Sequence, residues 1–208
     1  MGRLVAIAAV AALLAGLPSG AATADDQGEE LFDLCVQCHG SAGQGNRLAL
    51  APAIAGLSEW YVKAQLEKFQ SGARGLHPDD LAGLRMYPMS LAIRDDQQIA
   101  ALAQYVASLP AVKPETTLDG DATRGEALYI TCKACHGAQA EGLQALGGPA
   151  LAHSSDWYLL TQLEHFKDGI RGSNSKDASG KRMRPMAMIL ADEQAMKDVI
   201  AYVMTLAD

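Results

Sequence analysis

The chain contains a second copy of itself. Cys35, Cys38 and His39 recur as Cys132, Cys135 and His136, each 97 positions later. The same offset carries Trp60-Tyr61 to Trp157-Tyr158, Gln65-Leu66 to Gln162-Leu163, Phe69 to Phe166, Arg74-Gly75 to Arg171-Gly172 and Pro88-Met89 to Pro185-Met186. The register holds without a gap through Leu109 and Leu206, which marks a duplicated domain. Between the copies, residues 110–124 (PAVKPETTLDGDATR) combine prolines, small residues and charges without a helical stripe, and read as an extended linker. Domains are therefore expected at 25–109 and 125–208.

Residues 1–24 read as an export leader. Arg3 supplies the positive start, Leu4 to Leu17 is an almost unbroken apolar run, and Ala22-Thr23-Ala24 is a small-residue cleavage pattern, so the mature chain is expected to begin at Asp25. The run is shorter than the roughly 20 residues that span a bilayer. Removing Arg3 leaves 16 basic and 24 acidic residues, a formal charge of −8. That balance argues against nucleic acid and favours a neutral or basic partner over an anionic lipid face. With three Phe, two Trp and six Tyr for two cores, each domain is expected to need a staple such as a disulfide, a metal or a cofactor.

The pattern within each copy is helical, giving an all-α fold. A short helix, about Glu29 to Cys35, is expected to lead into the Cys pair. A second begins near Ser58, whose hydroxyl is placed to cap it, and stops at Gly72–Gly75. A third has Asp95 as its cap and buries Ile99, Leu102, Val106 and Leu109; the second copy repeats that stripe as Met196, Val199, Val203 and Leu206 behind Asp192.

The runs Cys35-Val36-Gln37-Cys38-His39 and Cys132-Lys133-Ala134-Cys135-His136 match the c-type haem attachment signal. Two thiols on one helical turn can add across the two vinyl groups of a porphyrin, and the following His falls beneath the iron. A disulfide framework leaves both His residues unexplained, and a zinc site of two CxxC pairs wants a far closer spacing than the gap from Cys38 to Cys132. For the opposite axial position each copy offers two methionines, Met86 and Met89 in one and Met183 and Met186 in the other. Met86 and Met183 each lie 47 positions after their His. A thioether on iron favours the ferrous state. His77, His153 and His165 have no counterparts in the other copy and read as surface residues. Arg74 and Arg171 fit two roles equally, a hold on a haem propionate or a solvated helix-end charge.

The two CxxCH motifs, the Trp-Tyr…Gln-Leu…Phe…Gly-x-Arg-Gly block and the Met-x-x-Met before the last helix resemble dihaem cytochrome c4 over essentially the whole mature chain. The resemblance implies two tandem class I cytochrome c-like domains, each of about three to four helices around a covalently bound haem, in contact with each other. It implies two haem c groups held by Cys35, Cys38, Cys132 and Cys135, with His39 and Met86, and His136 and Met183, as axial iron ligands. It also implies a periplasmic protein, loosely membrane-associated in some members, that passes single electrons to acceptors such as a terminal oxidase. With both irons closed by Met there is no substrate position, so an electron carrier is expected rather than an enzyme. The alternative is a dihaem cytochrome subunit of a periplasmic dehydrogenase complex. In either case its partners are redox proteins.

Overall fold

The computed structural model describes residues 24–207; the expected leader, apart from Ala24, lies outside the described residues. Among the described residues there are nine α-helices and no strands, only the isolated bridges Asn46–Ala51 and Leu143–Gly148. The first half runs α1 (Ala24–His39), α2 (Glu59–Gln70), α3 (Leu81–Leu91) and α4 (Asp96–Ser108). The second runs α5 (Ala122–Tyr129), α6 (Lys133–His136), α7 (Asp156–Asp168), α8 (Ala178–Met188) and α9 (Glu193–Thr205). None is long and apolar enough to cross a membrane.

In each half the first helix packs on the last. The crossing is made close by a glycine without a side chain: a Cβ on Gly28 would strike the Ala101 carbonyl, and one on its counterpart Gly125 would strike that of Asp198. The core of the first half is Phe32, Leu66, Ile93, Ile99, Leu102 and Val106, and the second is built on Tyr129, Leu159, Met196, Val199, Ile200 and Val203. These include the stripes read from the sequence except Leu109 and Leu206, which are only partly buried against the two cores. Asp95 and Asp192 cap α4 and α9 as expected, accepting the Gln98 and Ala195 amides at 2.8 Å.

Three local features differ from the sequence reading. The helix expected at Glu29–Cys35 continues through the whole Cys-x-x-Cys-His run in the first half, whereas in the second it breaks after Tyr129 and resumes at Lys133. Ser58 makes no side-chain cap bond. Its counterpart Ser155 makes none either, because its hydroxyl instead accepts the Ala53 amide of the other half at 3.1 Å. Finally, each methionine pair lies in a helix of its own, α3 or α8, with Pro88 or Pro185 inside it. Those helices start on buried aspartates: Asp80 accepts the Gly83 amide at 2.8 Å and Asp177 that of Gly180 at 2.9 Å.

Between the halves, residues 109–121 run without helix. Asp156, fully buried at the start of α7, ties this segment down by accepting the Leu118 amide at 2.8 Å and the Thr117 hydroxyl at 2.9 Å.

Candidate haem-binding sites

His39 lies at the C-terminal end of α1 and His136 at that of α6, one turn after the first Cys of each motif. His39 Nδ1 is 2.8 Å from the Pro52 carbonyl, and His136 Nδ1 is 2.8 Å from that of Pro149. A carbonyl only accepts, so Nδ1 carries the proton and the Nε2 lone pair is free to bind a metal. Burial pushes both imidazoles below their ordinary range, with the carbonyl bond opposing it, so both are neutral at pH 7. Pro52 and Pro149, themselves 97 positions apart, thus hold the two rings through the same contact.

None of the four cysteines is in a disulfide. Cys35 and Cys132 are half-buried, Cys38 and Cys135 exposed. Burial, helped by the neighbouring Cys38, raises the Cys35 thiol to about 11.

On the facing helices, Met86 shares one stripe of α3 with the buried Gly83 and Ser90, and Met183 shares one stripe of α8 with the buried Gly180 and Ala187. Met86 packs on the same core cluster that Cys35 and Val36 touch. Met89 is 41% exposed, while Met186 is half-buried, as are Met86 and Met183.

The arginines are neither solvated nor at free helix ends. Arg74 is 9% exposed and Arg171 8%, and each guanidinium lies 4.6 Å from the centre of its own half's Phe ring, Phe69 or Phe166. They meet at the contact between halves. Arg74 donates to Gln65 at 2.9 Å and across to Gln162 at 3.1 Å; Arg171 donates to Gln162 at 2.7 Å and across to Gln65 at 3.0 Å. Tyr158 accepts a further bond from Arg74 at 2.8 Å. The Nε–H of both arginines is buried without an acceptor.

His165, read from the sequence as a surface residue, is instead nearly buried here, its side chain 12% exposed and 3.8 Å from Asp80. Burial of α7 against the other half is the reason, and no pattern within one half could report it. Gln65 and Gln162 were visible only as repeat register; their duplicated spacing from the duplicated Arg was the available signal.

The donor set suits a c-type haem in each half. It comprises two thiols on one helical turn, a neutral imidazole with a free Nε2, a thioether on a facing helix, and buried Nε–H donors suited to an anionic substituent such as a propionate. The cytochrome c family model matches residues 26–110 and again 122–207. The chain belongs to the cytochrome c family. It is a tandem of two such domains and carries two covalently attached haem c groups, as in cytochrome c4. It is 34% identical to the thiosulfate dehydrogenase electron acceptor of Thiomonas intermedia over 93% of this chain and 87% of that one. It is 28% identical to cytochrome c4 of Pseudomonas aeruginosa over 84% of this chain and 83% of that one. Among solved structures, it superposes on reduced cytochrome c4 of Pseudomonas stutzeri with a TM-score of 0.68 at 25% identity, covering 86% of this chain and 96% of that one. It also superposes on thiosulfate dehydrogenase of Marichromatium purpuratum with a TM-score of 0.70 at 28% identity, covering 86% of this chain and 40% of that one. The chain is a dihaem electron-transfer cytochrome.

Proposed function

We propose that the protein is a periplasmic carrier that accepts single electrons from a respiratory donor and delivers them to an acceptor such as a terminal oxidase. In this reading Cys35 and Cys38 hold one haem and Cys132 and Cys135 the other, with His39 and Met86, and His136 and Met183, as axial ligands. The observation that carries it is the identical clamping of His39 and His136 by the Pro52 and Pro149 carbonyls, which leaves each Nε2 free. Haem c, when bound, supplies a one-electron ferric/ferrous couple. The chain's own residues orient the two imidazoles, present Met86 and Met183 from the inner stripes of α3 and α8, and offer the Arg74 and Arg171 Nε–H groups to propionates.

With a thioether closing each iron the protein binds no substrate there and is a carrier rather than an enzyme. The Thiomonas intermedia relative favours one donor over others: a thiosulfate dehydrogenase, with this chain as its electron acceptor. Acid–organic extraction of the denatured protein should leave the haem attached, and the intact mass should show two haems per mature chain. The oxidised protein should then be reduced by a purified thiosulfate dehydrogenase given thiosulfate. Recovery of a bare polypeptide ends the reading; carbon monoxide binding to the reduced protein at neutral pH ends the carrier assignment; failure of the dehydrogenase alone removes only that donor.

A further inference from the structure

The methionine helices α3 and α8 correspond position for position but present different chemistry on their outer faces. On α8, Lys181, Arg184, Pro185 and Met188 are spaced to share one face, and Met183 lies on the other. With Gly172 and Ser173 they line a shallow open hollow. Its polar side chains are all donors. Among the described residues Lys181 and Ser173 make no side-chain hydrogen bond or ion pair, and the Arg184 Nε–H is buried with no acceptor. The guanidinium of Arg184 lies over Gly169, at the end of α7, where a side chain on that glycine would meet it at 3.0 Å. Beside the hollow, Met188 and Ile189 are 59% and 58% exposed. The positions 97 before Ser173, Lys181, Arg184 and Met188 are Leu76, Leu84, Tyr87 and Leu91, none of them a cation.

We infer that the outer face of α8 is a docking surface for a redox protein that presents carboxylates around its own electron-exchange edge, one of which enters the Lys181–Arg184–Ser173 hollow. The inference rests on the carrier reading above. Unpartnered cations on a chain of net charge −7 are the feature that charge complementarity explains: whole-chain charge repels an acidic partner at long range, but within about 10 Å the local cations dominate. The apolar rim of Met188 and Ile189 gives the contact area that a small free anion would not use. Docking here places the partner on the far side of the helix that presents Met183. The twin face on α3 lacks these two cations, with Leu84 and Tyr87 in their places.

The soluble domain of cytochrome b5, whose haem edge is ringed by carboxylates, is a suitable probe. In stopped-flow mixing, one electron passes from the ferrous probe to the ferric full-length protein, and no bond is made or broken. Lys181→Glu with Arg184→Glu should lower the second-order rate constant at low ionic strength by tenfold or more and flatten its salt dependence. The control pair Leu84→Glu with Tyr87→Glu should change both far less. Independently of electron transfer, the Ser173 and Met188 amide signals should move on titration with redox-inactive, zinc-substituted probe, and should stay still in the α8 variant. Equal effects from the two pairs, or an unchanged salt slope in the α8 variant, overturns the docking site. If hexaammineruthenium(II), a cation that needs no docking face, also fails to reduce the wild-type protein, the carrier reading has failed instead.

Discussion

Lys68 and Asp177 join the two halves in an ion pair of 2.7 Å, and the residues 97 positions from each, His165 and Asp80, face one another across the same contact at 3.8 Å. The two aspartates also begin the methionine helices, since Asp80 caps α3 and Asp177 caps α8. The contact between halves therefore reaches the starts of the helices that carry Met86 and Met183, and Lys68 also donates to Ser179 within α8. The duplication has kept the acid and changed the base, giving one lysine–aspartate pair and one histidine–aspartate pair.

That difference predicts a pH dependence. His165 is held below its ordinary range, first by burial and then by Arg74 and Arg171, with Asp80 and Asp168 opposing them. Its folded value lies below that of the unfolded chain, so the unfolded chain binds more protons as pH falls below about 6.5, and stability declines on that side. His165→Gln should remove part of the fall in melting temperature between pH 7 and pH 5. Superimposable pH profiles for the variant and wild type would show that the His165–Asp80 contact carries no linkage.

Gln65 accepts from Arg74 of its own half and Arg171 of the other. Gln65→Leu leaves two buried guanidinium groups each short of an acceptor, and buried donors left unmade cost about 1–3 kcal/mol apiece. The variant should lose stability on that scale, and its halves should unfold in two resolvable transitions in place of one. An unchanged calorimetric profile contradicts a structural role for the Arg–Gln ring.

Of the four methionines only Met89 is exposed; Met86, Met183 and Met186 are half-buried. Met86→Ala and Met183→Ala should each abolish the weak far-red absorption of one ferric haem and open that iron to carbon monoxide in the reduced state. Met89→Ala should leave both haems unaltered and, at 41% exposure, cost less than about 1 kcal/mol, whereas half-buried Met186 should cost more. If Met89 or Met186 proves to control the far-red band, the ligand assignment moves to the second Met of each pair.

The two haems should differ in reduction potential, the second being higher. Lys181, Arg182 and Arg184 stand on α8 where α3 has Leu84, Arg85 and Tyr87. A unit positive charge roughly 10 Å from iron, at an effective dielectric near 20, disfavours the ferric state by on the order of 1–2 kcal/mol. For one electron, about 1.4 kcal/mol is 59 mV, and solvent screening reduces this to tens of millivolts. Arg184→Tyr should therefore lower the second potential and narrow the gap in a spectroscopic titration. A first haem with the higher potential, or a substitution that moves neither, refutes the electrostatic account.

What could be read from the sequence is what repeats locally. The stripes at Ile99–Val106 and Met196–Val203 and the caps Asp95 and Asp192 belong to single helices, where spacing and side-chain chemistry suffice. Pro88 and Pro185 hid α3 and α8, because an internal proline normally ends a helical pattern. The fates of Ser155, His165 and the Arg74–Gln162 bond were invisible for a different reason: each is decided by a residue about 80 to 105 positions away, across the contact between halves.

The Arg–Gln ring has one more property. Gln65 and Arg74 offer to the second half what Gln162 and Arg171 offer to the first, so the surface is complementary to a copy of itself, as in an isologous twofold dimer. A chain with one such domain could make this contact only by meeting another molecule, at a strength set by concentration. Covalent fusion turns that meeting into an intramolecular one at high effective concentration, and it frees each copy to diverge without losing its mate.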